Sequence, residues 1–275
     1  MRPILLIALK ELRDGLRNRW VVAVTVLLAA LALTLAFLGS APTGALKVNA
    51  LAVTVVSLSS LTIFLIPLVA LLLSYDAVVG EIDRGTMALL LAYPLNRWQV
   101  ITGKFLGHVA SLAVSTIIGY GLAGLLLATT GDVDAATGEA FVLMVAASVL
   151  LGSVFIAIGT FVSTLVRDRG TAGGIAVGVW LVFVLLYDMG LLGLLAADQG
   201  RSVSAPLLNA LLLLNPTDAY RLLTLTASTE VSGFAGLAGL GAGSALSPPS
   251  LVAALLAWTV LPLVAAMALF SRRQV

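Results

Sequence analysis

Residues 81–107, EIDRGTMALLLAYPLNRWQVITGKFLG, form a polar island between two long apolar runs, Val53–Tyr75 upstream and Phe105–Thr129 downstream. Each run is near the roughly 20 residues that a helix needs to cross about 30 Å of hydrocarbon. An island with charges at both ends and leucines in its middle reads as a loop outside the bilayer that joins two spans. Working outward, four more runs repeat the pattern at Trp20–Leu38, Phe141–Val166, Thr171–Leu195 and Leu251–Phe270. In lipid every backbone N–H and C=O needs an internal partner, and a helix supplies one within each segment. The runs lack the alternation over about ten residues that marks a membrane β-strand. The expectation is an all-α polytopic membrane protein with six transmembrane helices in one transmembrane domain, residues 1–275.

Composition agrees. Hydrophobic residues make up 60% of the 275 and charged residues 10%, where a soluble domain carries about 25% charge; the mean hydropathy is +1.12. The net charge of +2 is spread in a way that speaks for topology and against nucleic acid. If the basic first segment is inside, six spans return the C-terminus to the same side. The inner set is then Arg2, Lys10, Arg13, Arg17, Arg19, Arg84, Arg97, Lys104, Arg167, Arg169, Arg272 and Arg273, leaving only Lys47, Arg201 and Arg221 of the 15 basic residues outside. A bias of that size sets the orientation, with both termini cytoplasmic.

Residues 1–19 read as an amphipathic interfacial helix, with Ile4, Ala8, Leu12 and Leu16 on one face and Lys10, Arg13, Asp14 and Arg17 on the other. Pro67 is expected to bend span two. The loop 76–104 lies inside, as does the tight turn Arg167–Gly170. The longest outer segment is 196–250. Within it, LLLLNPTDAYRLL (residues 211–223) reads as a helix end, a turn at Asn215-Pro216 and a new helix capped by Thr217 or Asp218. The Gly/Ala/Ser/Pro-rich stretch Gly233–Ser250 reads as mobile.

Machinery for chemistry is missing from the sequence. There is no G-x-x-x-x-G-K-[ST] phosphate loop, and Gly103-Lys104 is followed by Phe105 without the upstream glycine. One histidine and no cysteine leave little for zinc or nucleophilic catalysis. The chain reads as a non-enzyme without a cofactor or metal of its own. The positive signal is again the island. Glu81, Asp83 and Arg84 precede Gly85-Thr86, a short apolar helix runs from Met87 to Ala92 through Leu89 and Leu90, and Pro94, Arg97 and Lys104 follow. A short helix bracketed by charges can lay its apolar side into a groove on a soluble partner.

Glu81, Gly85-Thr86, Leu89-Leu90, Pro94, Arg97 and Gly103-Lys104 resemble the E-x-x-x-G-T-x-x-x-L-L-x-x-P-x-x-R-x-x-x-x-x-G-K signature of ABC-2 type transporter permeases. The basic first helix, the six spans and the long outer loop before span six are similar too. More narrowly, with support from Asn215, Pro216, Asp218, Tyr220 and Arg221, the chain resembles permeases of the system that matures the copper site of nitrous oxide reductase. The resemblance implies a homodimer in the bacterial inner membrane. It implies a dimeric ABC ATPase, carrying the ATP and Mg, docked on a coupling helix within Glu81–Ala92. It further implies a periplasmic copper-binding maturation subunit on the outer face, toward which those five residues point.

The remaining polar and small residues carry open readings. Asp188 lies in the outer half of span five, where a carboxylate costs about 2.5–3.5 kcal/mol at the bilayer centre. It is a functional candidate by that cost and a structural one by its nearness to water. His108, one turn past Lys104, fits packing better than metal ligation. Gly170, Gly174 and Gly178, and likewise Gly103 and Gly107, recur at i+4 and are expected to let helices approach closely, within the subunit or across a dimer. The five Met residues are scattered, with no M-x-x-M, so direct copper conduction has little support. Either the cargo differs, for instance a sulfur species, or the subunit passes motion to a partner. A secondary transporter would need ion ligands and inverted repeats; a passive membrane anchor would need no coupling to hydrolysis.

Overall fold

The computed structural model describes residues 2–39, 50–130, 135–198, 204–226 and 246–273. Lys47, Asp132, Asp134, Arg201 and most of the Gly233–Ser250 stretch lie outside the described residues. Within them the chain is helical, with no strand. In order come α1 (Arg2–Arg17), α2 (Arg19–Gly39), α3 (Ala50–Ser74), α4 (Val79–Asp83), α5 (Thr86–Leu91), α6 (Arg97–Thr130) and α7 (Ala135–Leu165). They are followed by α8 (Arg169–Leu181), a π turn (Val182–Leu186), α9 (Tyr187–Asp198), α10 (Ala205–Leu214), α11 (Pro216–Leu225) and α12 (Pro248–Arg272). Five stretches are long and apolar enough to cross a bilayer: α3 continued through α4, α6, α7, α8 to α9, and α12. A sixth arises if α1 and α2, bent by 66°, count as one.

The bundle is built around α7, whose residues Leu151–Thr160 are all buried, as expected for a helix apolar on every side. It packs chiefly on α3 and α12, while α6 lies between α1, α2 and α7. Contact is close where a side chain is absent. A methyl at Gly152 would run into Leu112, and one at Gly159 into Ser74. The sequence pattern does not single out these two positions.

Three expectations change shape. First, α1 rests only part of its apolar surface on the bundle. The side that rests on α6 holds Ile7, Ala8 and Glu11, while Leu5, Leu6, Leu9 and Leu16 are exposed. Helix α1 thus has apolar residues on two sides, and an i+4 count registers only one. Second, α6 begins at Arg97, two turns before the apolar run, because Asn96 and Gln99 form half a capping box: Asn96 N–H donates to Gln99 Oε1 at 3.0 Å. Third, span five contains the π turn. The uniformly apolar VFVLL offers no Gly or Pro to announce it. Helix α3 runs on through Pro67.

Candidate functional site

Loop 76–104 sits at the end of the bundle that also carries the Arg167–Arg169 turn and the C-terminus of α12. Its chain path follows from local chemistry. The N–H groups of Val78 and Val79 both donate to Ser163 Oγ, at 3.0 and 3.1 Å, which fixes the turn between α3 and α4 against α7. Gly85 then takes φ +70°, the left-handed value that an L side chain resists, and turns the chain into α5. Thr86 Oγ1 donates to Glu81 O at 3.2 Å across that turn.

Lys104 is the centre of the site. Its side chain is 2% exposed, and its ammonium donates to Glu81 Oε1 at 2.6 Å and Glu11 Oε1 at 2.9 Å. One residue of α6 thereby ties α4 to α1. Lys10, on the exposed side, adds contacts of 3.1 Å to Glu11, 3.5 Å to Asp14 and 3.6 Å to Glu81. Burial alone would raise the Glu11 carboxyl. The charges of Lys104, His108 and Lys10, with the Lys104 hydrogen bond, outweigh it and hold that carboxyl at about 2. The cluster can form because α1 lies flush on α6 at Gly103 and Gly107. A Cβ at Gly103 would stand 2.7 Å from Ile7 Cβ, and one at Gly107 2.8 Å from Ala8 O.

The predicted contact residues divide into two groups. Met87 is fully buried, Glu81 and Lys104 are engaged within the chain, and Arg97 is turned away from the loop tip. Its guanidinium donates to Phe270 O at 2.8 Å and to Arg273 O, and stacks over the Phe270 ring. Arg97 thus satisfies carbonyls at the C-terminus of α12. Arg273 in turn donates to Thr164 O, at 3.0 Å, near the end of α7. Outward-facing are Asp83, Arg84, Thr86, Leu89 (70% exposed), Tyr93 (69%) and Pro94; Leu90 is half-buried. Arg84 lies 3.9 Å from Asp76, which pairs with Arg169 at 2.8 Å. An open cleft of about 430 Å³ runs between α1 and α5, lined by Lys10, Glu11, Glu81, Arg84, Leu89 and Tyr93 among others.

At the far end the structure corrects the partner-facing assignment. Asn215, Pro216, Asp218 and Tyr220 are buried inside the bundle, and only Arg221 reaches partway out. Helix α11 packs on α3, α7 and α12, and its polar groups find internal partners, Tyr220 OH meeting Ser148 Oγ at 3.0 Å. Its cap is Asn215, not Thr217 or Asp218: Asn215 Oδ1 accepts from Thr217 N–H at 3.1 Å, with Pro216 at the first helical position. Asp188 faces this helix, paired with Arg221 at 2.7 Å. Among the described residues, the small residues at the start of span five make no seam within the chain. A methyl added at Gly174 or Gly178 would meet nothing within 4 Å, and one at Gly170 only the Asp168 carboxylate, so none of the three packs against another helix among the described residues. Among the described residues no group of three or more His, Cys, Asp or Glu could hold a metal.

A model of the ABC-2 family transporter proteins matches residues 5–275. The chain belongs to the ABC-2 transporter family. Two relatives bear the name probable ABC transporter permease protein NosY. The permease is 44% identical to the one from Stutzerimonas stutzeri over 275 residues, 99% of each chain. It is 45% identical to the one from Pseudomonas aeruginosa over 271 residues, 98% of each.

Three functional features of this permease escape sequence reading. Glu11 and Lys10 look like parts of an amphipathic face, yet both reach Lys104 or Glu81. The signal available is Gly103/Gly107 beside a lysine, which brings another helix within reach of that charge. Ser163 is one hydroxyl among many, and nothing in its neighbourhood marks it. The pairing of Asp188 with Arg221 joins residues 33 apart and could be sought only as the partner of an intramembrane carboxylate.

Proposed function

We propose that this permease is the membrane subunit of an ATP-driven complex in the bacterial inner membrane. Its loop 76–104 faces the cytoplasm and docks a separate dimeric ATPase, which carries the ATP and Mg. The observation that carries the reading is the buried Lys104. A push on α5 is transmitted through α4 to a lysine that grips α1 and α6 together, so an exposed docking helix is mechanically continuous with two long helices. The cleft beside Leu89 and Tyr93 offers an apolar seat rimmed by Lys10, Arg84 and Glu81, the mix that a helix-in-groove contact needs. By the resemblance to NosY, two copies work together, and the far face delivers motion to a periplasmic partner in copper-site maturation of nitrous oxide reductase. The scattered methionines favour this mechanical role over copper passage through the chain.

The test is Leu89→Asp, alone and with Tyr93→Ala. Both side chains are largely exposed, so folding should change by no more than about 0.5 kcal/mol. Co-purification of the proposed ATPase subunit should fall about tenfold or more, with membrane insertion unchanged. Undiminished binding and ATPase activity in the double variant would rule out α5 as the docking element.

A further inference from the structure

The far end holds a cluster that ATPase docking does not use. The π turn Val182–Leu186 breaks the regular helical ladder around the Phe183 carbonyl. That carbonyl accepts from Asn215 Nδ2 at 3.1 Å and from Thr217 Oγ1 at 3.2 Å. One turn on, Asp188 Oδ2 accepts from Arg221 Nη2 at 2.7 Å, and Arg221 Nη1 reaches Asp218 Oδ1 at 2.9 Å. Asn215 Nδ2 also lies 3.0 Å from Asp218 Oδ2 and 3.4 Å from Asp188 Oδ1. The break in span five and the start of α11 therefore grip each other through one guanidinium, one amide and two carboxyls.

The charges do not balance. Two carboxyl groups within hydrogen-bonding reach of each other share a single cation. The Asp218 side chain is 3% exposed, so water does little to spread its charge. Two ionised carboxylates this close repel, whereas one proton between them removes the repulsion and supplies a hydrogen bond. The other described elements against α11 bring no further charge. Helices α3 and α10 have no ionisable residue, α7 has only Glu139 near its far end, and α12 only Arg272 at the opposite end. Tyr187, Asp188 and Arg221 are thus the ionisable groups that face Asp218, with Tyr220 on the same helix.

We propose that Asp188, Asp218 and Arg221 are positioning residues of a proton-dependent clasp that seats α11 on the broken middle of span five. The clasp is closed when the carboxyl pair holds one proton and loosened when it holds none. Burial first, then the Asp188 charge, push the Asp218 carboxyl up to about 6 against the pull of Arg221 and Asn215. A carboxyl raised in the closed form favours closure in acid. That contribution is complete below about pH 4 and is lost as pH rises through about 6. A rise of about two units from 3.8 limits the swing in the closed-to-open ratio to roughly a hundred-fold. What opens is the seat of α11, including the buried hydroxyl pair Tyr220–Ser148.

The experiment needs no ATPase, so it stands apart from the docking test. The full chain has no cysteine, so Ala219→Cys places one thiol on the fully buried face of α11. Its labelling by a membrane-impermeant maleimide from the far side is measured from pH 5 to 8 in native membranes. Rates are normalised to Ser204→Cys, an exposed site, which cancels the thiol's own titration. The expected normalised rate is low at pH 5 and rises by up to about tenfold by pH 8, with a midpoint near 6. In Asp218→Asn or Asp188→Asn backgrounds the pair cannot be doubly ionised, and the rate stays low throughout. A reporter at Ala157, buried in α7, stays unlabelled at every pH, which separates clasp opening from unfolding. A flat profile in the parent, or the same rise in both Asn backgrounds, overturns the proposal.

Discussion

Lys104→Met removes the cation that Glu11 and Glu81 share and leaves its volume nearly filled. Both carboxylates are close to nine-tenths buried. Stripping one partner from a buried ionic group costs about 3–5 kcal/mol, because the remaining charge is left uncompensated. A second route gives a similar figure. Holding the Glu11 carboxyl at about 2 in place of 4.5 corresponds to about 3 kcal/mol, of which Lys104 supplies the largest share and His108 and Lys10 the rest. Lys10, 3.1 Å from Glu11 and half in solvent, offsets part of the loss, so about 3 kcal/mol is the expected weakening of the α1–α6 seam. At about 1.4 kcal/mol per tenfold, the open fraction rises roughly a hundred-fold. The assay is thiol labelling of Ile7→Cys, a position 7% exposed inside that seam, in inverted membrane vesicles with and without Lys104→Met. Adding Glu11→Gln and Glu81→Gln to Lys104→Met should recover most of the protection, since replacing a whole ionic cluster by neutral groups is far less costly than leaving half of it. A labelling rate within threefold of the parent, or no recovery in the triple variant, would refute the claim that this lysine holds α1 in place.

Two further outcomes follow from the geometry. Gly107→Ala puts a methyl 2.8 Å from the Ala8 carbonyl, whereas Gly174→Ala meets nothing within 4 Å. The first should lower stability in detergent by about 1–3 kcal/mol and the second should be neutral or slightly stabilising, read as the difference between their thermal melting midpoints. The acid response of α1 has a definite sign. A carboxyl depressed from 4.5 to about 2 contributes stability above pH 4.5 and loses it as pH falls toward 2. Labelling at Ile7→Cys, normalised to an exposed thiol, should therefore be flat from pH 7 to 5 and climb below pH 4.5. Glu11→Gln should remove that climb.

Much of this architecture is legible in the order of residues alone. The apolar runs mark the helices because a bilayer leaves no other way to satisfy the backbone, and the island 81–107 stands out because charge is rare elsewhere. What escapes lies in details that apolar sequence does not encode. A π turn inside VFVLL changes no composition. The i+4 glycines of span five look like a packing seam and meet no neighbouring helix of their own chain among the described residues, while isolated Gly152 and Gly159 make the close approaches. Helix α11 looks like surface because it carries Asn, Asp, Tyr and Arg. It is buried because those groups satisfy one another, a pairing invisible along one dimension. Arg97 falls in a docking motif yet caps a helix about 170 residues away, a role that only the fold assigns.

The arginine staples have a mechanical corollary. Arg97 binds the start of α6 to the last turn of α12, and Arg273 carries that bond on to α7, so three long rods are pinned together at one rim. Rods pinned at one rim cannot slide; they can only pivot. Helix α6, at 34 residues, is about 50 Å long, and a pivot of roughly 5° sweeps its free tip through about 4 Å. A small rocking motion at the pinned rim thus arrives enlarged at the other side.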